Sequence, residues 1–196
     1  CTNGEFRPWA LKFYRGKGYL GGVCSAEGGS GSTANLHAYI VSFDPTNLSA
    51  GFSSETDFAL NHNRENIYVS PTNSQFKDGS WQPWRDTWAA VTANNANGDT
   101  ARPILSNIEF AQDGDMVLGF SDRFGHQIGF NQYRAISGDE TTYNENSGGD
   151  IVHVCKSGSS WVLEGNAGCA VPNNNPTSNP SLQTNDGLAN GGEMIF

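Results

Sequence analysis

The sequence predicts an all-β fold: a β-propeller-like arc of antiparallel blades with long irregular loops, with a β-sandwich as the alternative. Three observations lead there. Apolar strands recur in pairs joined by Gly-, Asp- or Ser-containing turns, most clearly at residues 108–129, IEFAQDGDMVLGFSDRFGHQIG. An Asp-Gly turn between two short apolar segments is the strongest local hairpin signal a sequence offers. Composition points the same way: 24 of 196 residues are Gly, 36% are hydrophobic and only 16% are charged. Long helices need far more Ala, Leu, Glu, Lys and Arg. Finally, the strand units recur at ~40–50 residues, the interval of propeller blades, and a chain of this length holds roughly four of them.

The elements follow in order. Residues 5–24 form a first hairpin in which Trp9, Leu11 and Phe13 alternate, Arg15-Gly16-Lys17-Gly18 turns, and 19–23 returns. Residues 25–34, SAEGGSGSTA, are loop. Residues 36–43, LHAYIVSF, read as a strand, and Asp44-Pro45-Thr46-Asn47 as a type I turn, with Asp first and Pro second. Residues 48–58 hold the next outer strand. Residues 59–100 are the least regular and carry the tryptophans 81, 84 and 88. Long loops without structure of their own are uncommon, so this insertion is expected to cover a sheet face or an end of the fold. The Asp-Gly hairpin occupies 103–130 and ends in a polar loop; a second loop fills 131–149, and another hairpin 150–164. Residues 165–192 form an Asn/Pro/Gly-rich loop. Met194-Ile195-Phe196 reads as the start of a further strand. The whole, 1–196, is therefore expected to be a single region of a larger chain.

Cys1, Cys24, Cys155 and Cys169 form no CxxC pair, and no His follows at zinc-finger spacing. An even cysteine count in a Gly/Asn/Ser-rich acidic chain favours disulfides and an extracellular or cell-surface location. Three pairings exist. Bracketing of the first and last hairpins favours Cys1–Cys24 and Cys155–Cys169, against the other pairings and against four buried thiols. A net charge of −9 disfavours a nucleic-acid partner. No stretch approaches the ~18 apolar residues of a membrane span.

The succession RPWALKFYRGKGYLGGVC, LHAYIVSFDP, WQPWRDTW, RPILSNIEFAQDGDMVLGFSDRFGHQIG and GGDIVHVCKSGSSWVLEGN resembles a known family. It is similar to the N-terminal β-propeller-like region of large SdrD-like (B-like-domain) secreted surface proteins of Bacteroidetes and their relatives. The Asp-Arg-x-Gly-His-Gln stretch after the hairpin is its most specific part. The resemblance covers roughly residues 5–165 and a Gly-Gly-Glu run at 191–193. It implies a secreted protein retained at the surface, with further blades after Gly192. It implies no catalytic residues. It also implies an O-glycan on Thr100, within Asp99-Thr100-Ala101; a eukaryotic source would instead make Asn47-Leu48-Ser49 the acceptor.

Asp122, Arg123, His126 and Gln127 form the most functional-looking polar cluster. They read as a structural brace between β-units, with an acid/base and anion-binding site as the alternative. Trp81, Trp84 and Trp88, with Arg85 and Asp86, are the binding candidates: indole faces stack on sugar rings and the charged pair hydrogen-bonds hydroxyls. The same tryptophans equally suit anchoring the irregular segment. No catalytic residue and no resident cofactor is expected; Gln112, Asp113 and Asp115 offer a Ca²⁺ turn as the one metal alternative. His37, His62, His126 and His153 show no paired spacing, no G-x-S-x-G elbow occurs, and no carboxylate pair stands out. The expected function is a non-catalytic surface or filament module for adhesion or assembly. The alternatives are a carbohydrate-active enzyme or a glycan-binding module on the same scaffold. Expected partners are further blades of the same polypeptide, copies of itself, or surface glycans.

Overall fold

A computed structural model of the chain describes residues 1–61, 67–70, 75–77, 80–87, 90, 101–128, 132–133, 137–143 and 148–169. In chain order the strands are β1 (Phe6–Tyr14), β2 (Lys17–Cys24), β3 (His37–Phe43), β4 (Ser53–Ala59), β5 (Ile67–Ser70), β6 (Gln75–Lys77), β7 (Pro103–Phe110) and β8 (Met116–Asp122). A short helix α1 (Arg123–Ile128) follows, then β9 (Gln132–Tyr133), β10 (Thr142–Tyr143), β11 (Asp150–Ser157) and β12 (Ser160–Leu163). They build two four-stranded antiparallel sheets, ordered β1-β2-β3-β4 and β12-β11-β8-β7, plus the ribbons β5-β6 and β9-β10. The all-β expectation holds, and each expected hairpin forms.

Turn chemistry explains the hairpins. Arg15 and Gly16 both take positive φ, 48° and 79°. A two-residue loop of that kind matches the twist of the strands it joins. The first turn is therefore tighter than expected, and Lys17 already pairs with Tyr14 in β2. In the Asp-Gly turn, Gly114 has φ 98°, and Asp113 accepts the Asp115 N–H at 3.1 Å.

One hydrophobic core lies between the sheets. Ala10, Tyr19, Val23, Ala38 and Ile40 come from the first sheet; Leu105, Ile108, Met116, Leu118, Phe120, Val152 and Val154 come from the second. Full burial of one such aliphatic side chain stabilises by about 1.5–3 kcal/mol. The sheets approach closely at Gly21 of β2, where an added Cβ would sit 2.7 Å from a Leu105 methyl and 2.9 Å from that of Ile108. Aromatic pairs bridge the sheets as well. Tyr14 stacks on Phe110 with centroids 4.1 Å apart, and Phe58 meets Phe120 edge-on at 6.3 Å. The outer face of the first sheet is also apolar: Leu11 and Phe13 of β1 are exposed, and Phe13 packs edge-on to Phe43.

The segment 80–87 ties the two sheets together. Gln82 N–H donates to the Ala101 carbonyl at 2.8 Å, and Trp84 N–H to that of Ser25 at 2.9 Å. Trp81 lies in the core, 2% exposed, beside Phe120. Disulfides join Cys1 to Cys24 and Cys155 to Cys169, the favoured pairing, and no free cysteine remains among the described residues.

One local expectation is corrected. The stretch after the Asp-Gly hairpin opens as helix α1, where a polar loop was expected. Asp122 is the reason. Its Oδ1 is buried and accepts the N–H of Phe124 at 2.9 Å and of Arg102 at 2.8 Å. That satisfies a helix-start donor which a loop would leave to water. Of the sequence candidates, Trp88, Thr100 and residues 170–196 lie outside the described residues, so most of the 165–192 loop does too.

Candidate functional site: a cleft between two β-bulges

In the two four-stranded sheets, three strands carry a residue more than their partners. Pro8 pairs with Gly22 and Ala10 with Gly21, which leaves Trp9 as the extra residue of β1. Leu105 pairs with Phe120 and Asn107 with Gly119, which leaves Ser106 extra in β7. Ile40 pairs with Thr56 and Val41 with Ser54, which leaves Glu55 extra in β4. A bulge bends its strand and re-aims the extra side chain.

Two of the three re-aimed side chains meet. Trp9 and Ser106 line the same cleft of about 650 Å³, together with Trp84 from the 80–87 segment, Ile104 of β7 and Ser121 of β8. Helix α1 completes it with Arg123, His126 and Gln127. The size falls within the range of small-ligand sites, and most of the wall is apolar, with few polar groups. Trp9 is 64% exposed, whereas Trp84 is only 7% exposed. Trp84 is held by its indole N–H, which donates to the Pro103 carbonyl at 2.9 Å.

The charges are arranged around Trp84. The Arg123 guanidinium carbon lies 4.5 Å from the Trp84 ring centroid and that of Arg7 5.7 Å, both within cation–π reach. Arg7 is paired with Glu27, and with Glu5 at 3.1 Å. Among the described residues no carboxylate lies within ion-pair distance of Arg123; its hydrogen bond goes to the Arg85 carbonyl at 3.4 Å. Burial pulls the Arg123 guanidinium below its ordinary pKa; the charge of Glu27 opposes that pull and the charge of Arg7 adds to it.

The expected cluster therefore divides. Asp122 caps and braces, while Arg123, His126 and Gln127 line the cleft. Of the tryptophan set, Trp81 is core and Trp84 a cleft wall; Asp86 is exposed and Arg85 half-buried. Trp9, Ile104, Ser106 and Ser121 carry no motif, and sequence reading missed them as site residues.

The remaining histidines and acids are placed elsewhere. His37 lies 3.7 Å from Asp57 at the surface, and His62 is outside the described residues. His153 Nε2 lies 2.9 Å from Asp115 Oδ2, and Asp115 Oδ1 accepts the Lys156 N–H at 2.6 Å. Both Asp115 oxygens thus join the Asp-Gly turn to β11. Cys155 lies close to this pair. Its sulfur is bonded to Cys169, so it offers no thiolate to a metal.

No family model matches the chain, and no solved structure matches it. Two curated proteins of Dictyostelium discoideum are similar to it. Colossin-A is 32% identical over 135 residues, 66% of this chain and 1% of its own length. Colossin-C is 28% identical over 126 residues, 64% of this chain and 11% of its own length. The chain thus spans a small fraction of either relative.

Proposed function

We propose that this chain is a non-catalytic, disulfide-bonded β module of an extracellular or cell-surface protein, working in adhesion or assembly. The observation that carries the reading is the pair of disulfides, one closing the first hairpin and one fastening the last. Such bonds persist in oxidising compartments and are rare in the cytosol. Among the described residues no helix is long and apolar enough to cross a membrane. The cleft suits holding more than cleaving. Its lining brings together indoles, an arginine and amide and hydroxyl groups, and the Ser106 hydroxyl is already committed to the Gly119 carbonyl at 3.0 Å.

For the architecture we favour two layers of one sandwich over two blades of a propeller arc. Contacts at both ends support this. Lys12 of β1 pairs with Glu109 of β7, and Trp161 of β12 donates its indole N–H to Glu55 of β4 at 2.9 Å. Both pairs of edge strands therefore come together, as in aligned sheet packing. The match to short stretches of far longer relatives supports a place among further β-units of one polypeptide. The apolar outer face of β1 is the surface we assign to those units. The likeness to SdrD-like surface proteins belongs to the same proposal.

The test is the location of the native protein. Antibody raised against the 196-residue chain should label intact, unpermeabilised cells or the surrounding matrix. Labelling that appears only after permeabilisation would overturn the reading.

A further inference from the structure

We propose that the cleft between the β1 and β7 bulges binds an anionic sugar, with a pyranose ring on Trp9 and its carboxylate or sulfate on Arg123. The inference rests on the reading of the chain as an extracellular module and names the ligand of its cleft.

Three independent features meet there. The first is the double bulge. Trp9 and Ser106 are each the unpaired residue of a bulge, and both line one cavity. Bulges are enriched beside binding sites because they redirect a side chain without ending the sheet.

The second feature is the exposed indole. Trp9 presents 64% of its surface, on a cleft wall that already contains Trp84. A mostly exposed indole buries little surface in this chain, whereas it offers a flat apolar face to the C–H side of a pyranose. Ser121, His126 and Gln127 supply hydrogen-bonding groups around it for ring hydroxyls.

The third feature is the charge. The chain carries −9, yet among the described residues no carboxylate lines this cleft. Arg7 is neutralised by Glu27 and Glu5, while Arg123 lies half-buried against Trp84 with a carbonyl as its hydrogen-bond partner. A guanidinium fork in that setting has donors to spare and matches the two oxygens of a carboxylate or sulfate. At physiological salt, acidic groups more than about 8 Å from the cleft are largely screened.

The test is titration of the disulfide-intact chain, followed by tryptophan fluorescence and by calorimetry. Four probes serve: trigalacturonate, its methyl ester, a sulfated galactobiose and a neutral mannotriose. We expect at least one anionic probe to bind at least tenfold more tightly than the methyl ester and the mannotriose. The carboxylate and sulfate arms then identify which anion the site takes. Trp9→Ala should weaken that probe at least tenfold with an unchanged melting temperature, because the side chain is exposed. Arg123→Gln should weaken the anionic probe at least tenfold and the neutral ones less than threefold. Arg123→Lys, which keeps the charge and loses the fork, should fall between. Equal binding of acid and methyl ester would overturn the inference. So would binding that survives Trp9→Ala, or no binding of either anion at millimolar concentration. Each of these results leaves the extracellular reading standing, because that reading is decided by the cell-labelling experiment.

Discussion

Glu55 shows how a single residue couples the two sheets. As the extra residue of the β4 bulge, it turns toward β12, where its carboxylate accepts the Trp161 indole N–H. Burial acts to raise its pKa, but hydrogen bonds from Trp161 and Ser42 and the charge of Lys17 outweigh burial and hold it below the usual value of 4.5. A carboxylate depressed in the folded state contributes stability in full above its unfolded pKa. That contribution is lost as pH falls below 4.5 and through the lower folded value. Glu55→Gln should therefore cost about 1 kcal/mol at neutral pH and flatten the acid limb of the stability curve. Urea unfolding between pH 7 and pH 3 measures both effects. Asn47 makes a second residue-scale prediction. It lies exposed in the turn before β4, and the Ser49 hydroxyl donates to its side-chain oxygen at 2.7 Å. Passage through a eukaryotic secretory pathway should add one amidase-sensitive glycan, absent from Asn47→Gln.

At the scale of elements, the junction of β8 and α1 is set by Asp122. Removing its carboxylate in Asp122→Ala leaves the buried N–H groups of Arg102 and Phe124 without their acceptor. The expected loss is about 2–4 kcal/mol, read by chemical denaturation, and α1 with its cleft residues should become disordered first. Sheet contact is tested at Gly21. Gly21→Ala forces a methyl against Leu105 and Ile108 and should cost about 1–3 kcal/mol. The hairpins were legible because each has local turn chemistry: Arg15-Gly16 and Asp113-Gly114 demand positive φ near the turn. The bulges were not legible. Trp9, Leu11 and Phe13 alternate in sequence as strand residues should. That pattern cannot show that this face of β1 points to solvent, or that Pro8 and Ala10 pair with adjacent glycines. Register is decided by the partner strand. The cleft was half legible for the same reason. Arg123, His126 and Gln127 stood out as a polar run, whereas Trp9 and Ser106 reach the site through pairing with β2 and β8.

The molecule as a whole is a small β body whose two sheets share one core and whose two disulfides each lock a short loop. Residues 155 and 169 are separated by 14 positions. Closing a loop of that size stabilises by about 3 kcal/mol, chiefly through the unfolded chain. The double variant Cys155→Ser/Cys169→Ser should lower the melting temperature by that equivalent while keeping a single cooperative transition, since neither residue belongs to the apolar cluster between the sheets. Scanning calorimetry with and without reductant should show the same direction of change. These bonds join the fold to its compartment. The direct measurement is a non-reducing peptide map of the protein recovered from its native source. Peptides linking Cys1 to Cys24 and Cys155 to Cys169 are expected; free thiols at these positions would overturn the extracellular reading, and links between the two pairs would contradict the fold.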